Sequence, residues 1–260
     1  VADVDIIFNA AALKQVPTCE YFPYEAVRTN IEGANNIVTA IAKNKFSVDT
    51  VVCISTDKAC KPINVMGMTK AIQERIFIEG NIRCPNTKFV GVRYGNVLAS
   101  RGSVIPYFIN QIQNRKPLTI TNPDMTRFFL SLDDAVDIIF FAMKDAERGE
   151  IIIPQPPSAL VEDVADVLIG DLNIEKQYIG TRPGEKIHEI LISEEECFRT
   201  ISRGKYFAIQ TVFPDQRLSQ KNEEVISKEY SSADNTIRPK EIEALLKRNN
   251  LSVTEGDINL

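Results

Sequence analysis

The sequence has a single histidine, His188, in 260 residues, and its five cysteines (Cys19, Cys53, Cys60, Cys84, Cys197) are scattered. Cys53 and Cys60 fit neither a C-x-x-C motif nor a zinc pattern, and no histidine-rich partner stands by them. The cysteines are expected to be reduced thiols of a cytoplasmic protein, and no metal site is expected. A lone histidine is more often structural than catalytic, so His188 is given no catalytic role. Long apolar runs are also missing: the run at 138–143 is far too short to span a bilayer. Residues 1–10 lack the basic start of a secretory signal, so no membrane partner is expected. Lysine and arginine are not clustered, which argues against nucleic acid. There is no internal repeat and no low-complexity segment.

What is present is ordinary for a globular chain: 44% hydrophobic, 25% charged, net charge −5. Apolar runs at 5–8, 50–54 and 89–92 read as buried strands. Two of them are followed by long helical stretches, 23–43 opened by Pro23 and 66–79. Apolar strands alternating with helices predict a parallel sheet covered on both faces. The second half has shorter elements and more prolines. Helices are expected at 103–114, from Ser131 with Asp134 completing a capping box, at 161–172, just after Pro183, and at 242–247. Short strands are expected at 118–121, 128–130 and 151–153. Residues 214–235 read as extended, and the last few as frayed.

In an open parallel sheet, ligands bind beyond the carboxyl ends of the strands. Asn9-Ala10-Ala11-Ala12 ends the first strand. Small residues there either admit a cofactor close to the backbone or pack under a helix. Ser55-Thr56-Asp57-Lys58 ends the second, offering hydroxyls, a carboxylate and an amine in one place, which is acid–base chemistry or a solvated turn. Met66 and Lys70 share one helix face: a lysine that holds a ribose, or a surface lysine one turn from a core methionine.

Together these segments resemble a known family. Asn9-Ala-Ala-Ala12, Thr29-Asn30-Ile-Glu-Gly33, Ser55-Thr-Asp-Lys58, Met66-x-x-x-Lys70 and Arg93-Tyr-Gly-Asn96 follow the order and spacing of extended short-chain dehydrogenase/reductases. Ala11-Ala-Leu-Lys-Gln-Val-Pro17, Ser55-Thr-Asp-Lys-Ala59, Pro62-Ile-Asn64, Val92-Arg-Tyr-Gly-Asn-Val97, Ser100-Arg-Gly-Ser-Val104, Thr126-Arg-Phe-Phe129 and Arg182-Pro-Gly-Glu-Lys186 are similar to the inverting UDP-N-acetylglucosamine 4,6-dehydratases. The resemblance covers roughly 1–250. It implies a Rossmann-type doubly wound parallel sheet lacking its first strands, with a smaller α/β substrate lobe. The expected division is 1–102, with 128–150 returning to it, for the dinucleotide-binding part. The substrate lobe is expected at 103–127 and 151–213, and a C-terminal extension at 214–260.

The resemblance also implies NADP, or NAD, as cofactor, UDP-N-acetylglucosamine as substrate, and a homo-oligomer, hexamer or dimer. A hydride leaves sugar C4, the C5 proton is removed, the C6 hydroxyl departs as water, hydride returns to C6, and C5 is reprotonated on the opposite face. Lys58 is then the C5 base and Asp57 the C6 acid, with Thr56, Met66 and Lys70 completing the catalytic group. Cofactor contacts are implied for Ala10, Ala11, Ala12, Asn30, Ser55, Lys70, Tyr94 and Gly95. Substrate contacts are implied for Lys14, Asn96, Ser103, Arg127, Arg182 and Glu185, whose arginine forks suit a diphosphate.

Two departures stand out. The usual Tyr-x-x-x-Lys is Met66-x-x-x-Lys70, and methionine takes no proton. Val65-Met-Gly-Met-Thr-Lys70 is similar to a capsule-type branch, and Asp57 or Lys58 is expected to take the 4-hydroxyl proton instead. The glycine-rich pyrophosphate fingerprint is absent, which suggests a truncated or split protein. A UDP-sugar 4-epimerase and a non-catalytic nucleotide-sugar-binding subunit or inactive fragment remain as alternatives.

Overall fold

A computed structural model describes residues 2–98, 100, 102–213 and 226–253. The larger of two compact units comprises the described parts of Val1–Tyr94, Ala135–Gln155 and Ile190–Tyr230. Its core is a six-stranded sheet. Strands β1 (Ile6–Asn9), β2 (Thr50–Thr56), β3 (Lys88–Tyr94) and β7 (Ile151–Pro154) run parallel, and β12 (Tyr206–Ile209) and β11 (Thr200–Arg203) close it antiparallel. The order is β1-β2-β3-β7-β12-β11, so β1 is an edge strand, with Ile6 and Phe8 exposed. The parallel strands are those expected from the alternation of apolar strands and helices, and the α/β architecture is the Rossmann type that the family resemblance implied.

Alternation within each strand splits the core in two. Val51, Cys53 and Phe89 pack on one face with Val38, Ile41 and Phe77. Val52, Val90 and Val92 pack on the other with Ile138, Ala142 and Ile152. Helices α3 (Gly33–Asn44) and α4 (Val65–Arg83) supply the first cluster, and α6 (Leu132–Asp145) supplies Ile138 and Ala142. Ser131 caps α6 as its sequence predicts: the Asp134 amide donates to Ser131 Oγ at 3.0 Å, and that hydroxyl donates to Asp134 Oδ2 at 2.6 Å, in place of the backbone contact that would complete a capping box.

The helix expected at 23–43 runs from Pro23 to Asn44, with a π-helical turn inside it. Helices α1 (Val16–Tyr21) and α2 (Pro23–Ala26) precede a π-helical turn, Val27–Glu32, that leads into α3. Such a turn inserts an extra residue into the helical repeat and changes which side chain points inward. Here it buries Asn30 completely.

The smaller unit comprises the described parts of Gly95–Asp134, Pro156–Glu189 and Ser231–Leu260. Its strands are β4 (Asn96–Val97), β5 (Leu118–Ile120), β6 (Thr126–Leu130), β8 (Ser158–Leu160) and β9 (Lys176–Tyr178). β6 pairs with β4 and β8, and β5 with β9. Helices α5 (Val104–Gln113), α7 (Val161–Ile169) and α9 (Pro239–Arg248) pack Phe108, Ile112, Leu168, Ile242 and Leu246 into one cluster.

The observed division differs from the expected one in several places, beginning with β4, which was expected within 1–102 of the dinucleotide-binding part and lies in the smaller unit. β7, β11 and β12, inside the stretch expected to form the substrate lobe, belong to the main sheet. β6, expected to return to the dinucleotide-binding part, stays in the smaller unit. α9, expected in an appended extension, is core to that unit. The helix expected after Pro183 is a turn; a short helix, α8 (Glu194–Cys197), follows β10 (Ile190–Ile192) instead. Of the expected extended stretch, residues 214–225 lie outside the described residues, as do residues 254–260, where fraying was expected.

Candidate active site

β2 outruns its neighbour β1 by three residues, since Asn9 pairs with Cys53 and the strand continues to Thr56. The chain then turns through one 3-10 turn, Asp57–Ala59. Thr56 caps it: its hydroxyl accepts from the Lys58 amide at 3.4 Å and donates to Asp57 Oδ1 at 2.9 Å. Asp57 is wholly buried. Its Oδ1 also accepts from Lys58 Nζ at 3.1 Å. Its Oδ2 has no hydrogen-bond partner among the described residues. A buried carboxylate oxygen without a donor is costly, and such groups concentrate where a ligand completes them.

α4 closes over this turn. Asn64 caps the helix by accepting from the Gly67 amide at 2.7 Å. A Cβ at Gly67 would lie 2.2 Å from the Lys58 carbonyl oxygen, so only glycine lets the helix approach so closely. One turn on, Lys70 is buried and donates to the Ile54 carbonyl at 2.5 Å and to Gln73 Oε1. Burial lowers its pKa, against the opposing pull of Cys53 and Glu74. Burial pushes the Cys53 thiol up to about 12, so that cysteine is an inert core residue. Burial also raises the pKa of Tyr94, at the end of β3.

Several residues expected to touch ligands have other work. Asn30 donates from Nδ2 to the Leu13 carbonyl at 3.1 Å and to Thr69 Oγ1 at 2.9 Å, while its Oδ1 accepts from the Leu13 amide at 2.8 Å. Both amide protons are used, so Asn30 ties the loop after β1 to α4. The Ser55 hydroxyl donates to Glu74 Oε1 at 2.5 Å. Met66 packs with Cys19 and Ala26 in an apolar cluster, a core methionine in its local setting. Ala10 and Ala11 are exposed and Ala12 half-buried, so they do not pack fully under a helix.

In the smaller unit Arg127 is likewise committed. Its Nη1 donates to the carbonyls of Thr126 and Ile187, and its Nη2 to Met125 Sδ and the Lys186 carbonyl. With four N–H groups so placed, it fastens the 186–187 segment and does not present a fork to a diphosphate. Arg182 remains outward, 4.0 Å from Glu185 and 54% exposed. Asn96 is half-buried in β4. Ser103 Oγ, at the start of α5, is buried without a partner among the described residues. Gly95 is half-buried and Lys14 exposed. His188 Nδ1 lies 2.9 Å from Thr126 Oγ1, which in turn meets Ser232 Oγ at 2.6 Å, a structural chain.

Two acids and an arginine had no role in the sequence reading. Arg93 at the end of β3 is 2% exposed and lies between Glu74 of α4 and Glu196 of α8. Glu74 stands four residues after Lys70, on the face shared with Met66, and that spacing is a signal the sequence carried. Glu196 lies 103 positions from Arg93 and left none. Among the described residues, no group of His, Cys, Asp and Glu is arranged to hold a metal, and no helix is long and apolar enough to cross a membrane.

Residues 1–211 match the family described as polysaccharide biosynthesis protein. A relative named UDP-glucose 4-epimerase, from Rickettsia bellii, is 49% identical over 212 residues, which is 80% of this chain and 61% of that relative. The chain thus spans about three-fifths of the curated relatives it matches. The structure of Pen from Bacillus thuringiensis is 35% identical with a TM-score of 0.87, covering 95% of this chain and 76% of that one. A dTDP-glucose 4,6-dehydratase from Streptomyces venezuelae, solved with NAD, shares the fold at a TM-score of 0.63 and 17% identity, covering 70% of this chain and 63% of that one. With its parallel sheet and the match over most of its length, the chain belongs to the polysaccharide biosynthesis protein family of extended short-chain dehydrogenase/reductases.

Proposed function

We propose that the chain is part of an NADP-dependent UDP-N-acetylglucosamine 4,6-dehydratase that inverts C5 and yields a UDP-4-keto-6-deoxy sugar for surface polysaccharide. The observation that carries the reading is the Asp57–Lys58 pair: a wholly buried carboxylate with one oxygen on an ammonium and the other unpartnered. Dehydration needs a base at C5 and an acid at C6 together; oxidation at C4 alone does not. Moving one proton from Lys58 Nζ to Asp57 Oδ1, across 3.1 Å, turns the ion pair into an amine and a carboxylic acid. The amine takes the C5 proton and the acid protonates the departing C6 hydroxyl. That elimination returns the pair to ammonium and carboxylate, so it leaves no proton to be supplied by solvent.

The residues present fit the nicotinamide half of the dinucleotide. Lys70 spends two of its three N–H donors on Ile54 and Gln73, which leaves one for a ribose hydroxyl. Exposed Ala10 and Ala11, with Ala12, leave room beside the backbone after β1. When bound, the cofactor supplies reversible hydride acceptance at C4 and C6. With Met66 unable to accept a proton, Asp57 or Lys58 takes the one from the 4-hydroxyl. The pair then enters the reaction one proton short of the ion pair, as carboxylate and amine, and the 4-hydroxyl proton is the one that makes the acid and leaves with the C6 hydroxyl as water. Arg182 and Glu185, Ser103, Asn96 and Lys14 are proposed to meet the nucleotide sugar. A dimer or hexamer is the proposed assembly.

A UDP-sugar 4-epimerase is the second reading, favoured by the name of the Rickettsia bellii relative. Proton NMR of UDP-N-acetylglucosamine in heavy water with NADP and the full-length gene product separates the two. A new deoxy-sugar methyl signal with deuterium at C5 is expected. Exchange between gluco and galacto forms without a methyl would identify the epimerase, and no turnover would favour a non-catalytic subunit.

A further inference from the structure

The Asp57–Lys58 turn is tethered at both ends to one guanidinium. Before the turn, Ser55 Oγ donates to Glu74 Oε1 at 2.5 Å. After it, Cys60 Sγ donates to Glu196 Oε2 at 3.7 Å. Arg93 grips both acids with forked contacts. Nε and Nη2 donate to Glu74 at 3.0 and 2.7 Å, and Nη1 and Nη2 donate to Glu196 at 2.8 and 2.9 Å. The remaining Nη1 proton goes to the Leu191 carbonyl at 2.9 Å. All five N–H donors are used. Arg199 Nη2, 3.5 Å from Glu196, balances the second carboxylate, so the cluster carries two charges of each sign.

Stability alone gives no reason for this cluster. Buried ion networks contribute little beyond a well-packed apolar core of the same volume, because desolvation offsets the attraction. What they do supply is fixed geometry, since forked guanidinium–carboxylate contacts tolerate little displacement. We infer that Arg93 is a positioning residue: through Glu74 and Glu196 it fixes both ends of the turn that carries Asp57 and Lys58. This rests on the reading of that pair as the acid–base group. Gly67 supports the same turn from the side of α4.

The test uses the full-length gene product with Arg93→Met, Arg93→Lys, Ser55→Ala and Cys60→Ala. The last two leave the Arg93 forks intact and so fold even if the arginine variants do not. For Arg93→Met a fall in kcat of about 100-fold is expected, the scale of a small misplacement of reacting groups, with KM within about twofold of wild type. Arg93→Lys restores charge but not the forks and leaves kcat depressed. Ser55→Ala lowers kcat by about tenfold, and amide exchange at 57–60 quickens while the middle of β2 stays protected.

Wild-type kcat per folded molecule in Ser55→Ala and Cys60→Ala, with unchanged exchange at 57–60, would overturn the inference even if the methyl product forms. A loss of melting temperature in Arg93→Met without loss of kcat would do so too. If the unmodified protein only interconverts gluco and galacto forms, the dehydratase reading fails. The inference is then judged on the kcat of that exchange, which needs the same turn at the 4-hydroxyl. If nothing turns over, faster exchange at 57–60 in Ser55→Ala supports the tether, and unaltered exchange overturns it.

Discussion

Asp57 and Lys58 sit in a turn whose carboxylate is wholly buried and held by two donors, whereas Arg182 lies 54% exposed and 4.0 Å from Glu185. Both segments are distinctive in sequence, yet the protein builds them differently. Around the turn four neighbours fix its geometry: Thr56 caps it, Gly67 admits α4, and Ser55 and Cys60 reach the Arg93 cluster. Around Arg182 nothing comparable is built among the described residues. Bond-making groups need placement to fractions of an ångström before substrate arrives. A guanidinium that neutralises a diphosphate needs only charge and reach, and can be ordered by its ligand. The contrast recurs within one residue type: Arg127 was expected beside Arg182 at the diphosphate, but its donors are used on backbone carbonyls.

The largest effect should come from removing the base. Lys58→Met is expected to lower kcat per folded molecule by about 10³-fold, within the range for general acid–base groups. It should lower the melting temperature as well, since it leaves the buried Asp57 carboxylate with Thr56 as its one donor among the described residues. If C4 oxidation in a single turnover persists undiminished in both Lys58→Met and Asp57→Asn, neither residue takes the 4-hydroxyl proton. Gly67→Ala comes next. Its Cβ would meet a backbone oxygen at 2.2 Å, so α4 and the turn must separate. A loss of about 100-fold in kcat and roughly 3 kcal/mol of stability is expected, read by steady-state kinetics and chemical denaturation.

The acid cluster yields a pH prediction. Burial raises the pKa of Glu196, but Arg93 overrides it and holds the carboxyl at about 2, below its ordinary 4.5. A depressed carboxylate stabilises the fold fully above its unfolded value and loses that contribution as pH falls through the folded one. Stability should therefore decline between pH 4.5 and about 2, by on the order of 3 kcal/mol. Glu196→Gln, less stable at neutral pH, should show a flatter acid slope in that window by circular dichroism.

The two arginines give the sharpest contrast, and Arg182 gives the smallest effect. Arg127→Ala leaves buried carbonyls unpaired and should cost about 3 kcal/mol. Arg182→Ala should change stability by no more than about 0.5 kcal/mol. It should raise KM for the nucleotide sugar about tenfold, equivalent to ~1.4 kcal/mol of binding. An Arg182→Ala variant with normal KM would remove that residue from the proposed substrate site.

Much of the sheet was legible because its strands are local patterns: 50–54 and 89–92 are continuous apolar runs, and such runs bury on both faces wherever they sit. The Ser131 cap on the Asp134 amide was legible for the same reason, since both partners lie within one turn. The strands β11 and β12 were not, because their short runs acquire meaning only by pairing with β7. Asn30 and Ser55 looked like ligand contacts because their motif names a residue type and not the direction of its side chain. The π-helical turn sends Asn30 inward, and Glu74 claims Ser55.

By itself the sequence determined the strand-and-helix alternation, the adjacency of Asp57 and Lys58, and the spacing of Met66, Lys70 and Glu74 on one helical face. These depend only on backbone periods and on neighbours along the chain. The tertiary structure alone decided that Arg93 would stand between Glu74 and Glu196, that Arg127 would be consumed by carbonyls, and that Gly67 would be the point where α4 meets the turn. Each depends on groups far apart in sequence being brought within a few ångströms. Hydrogen bonds, ion pairs and steric contact act only at that range, so no linear pattern specifies them.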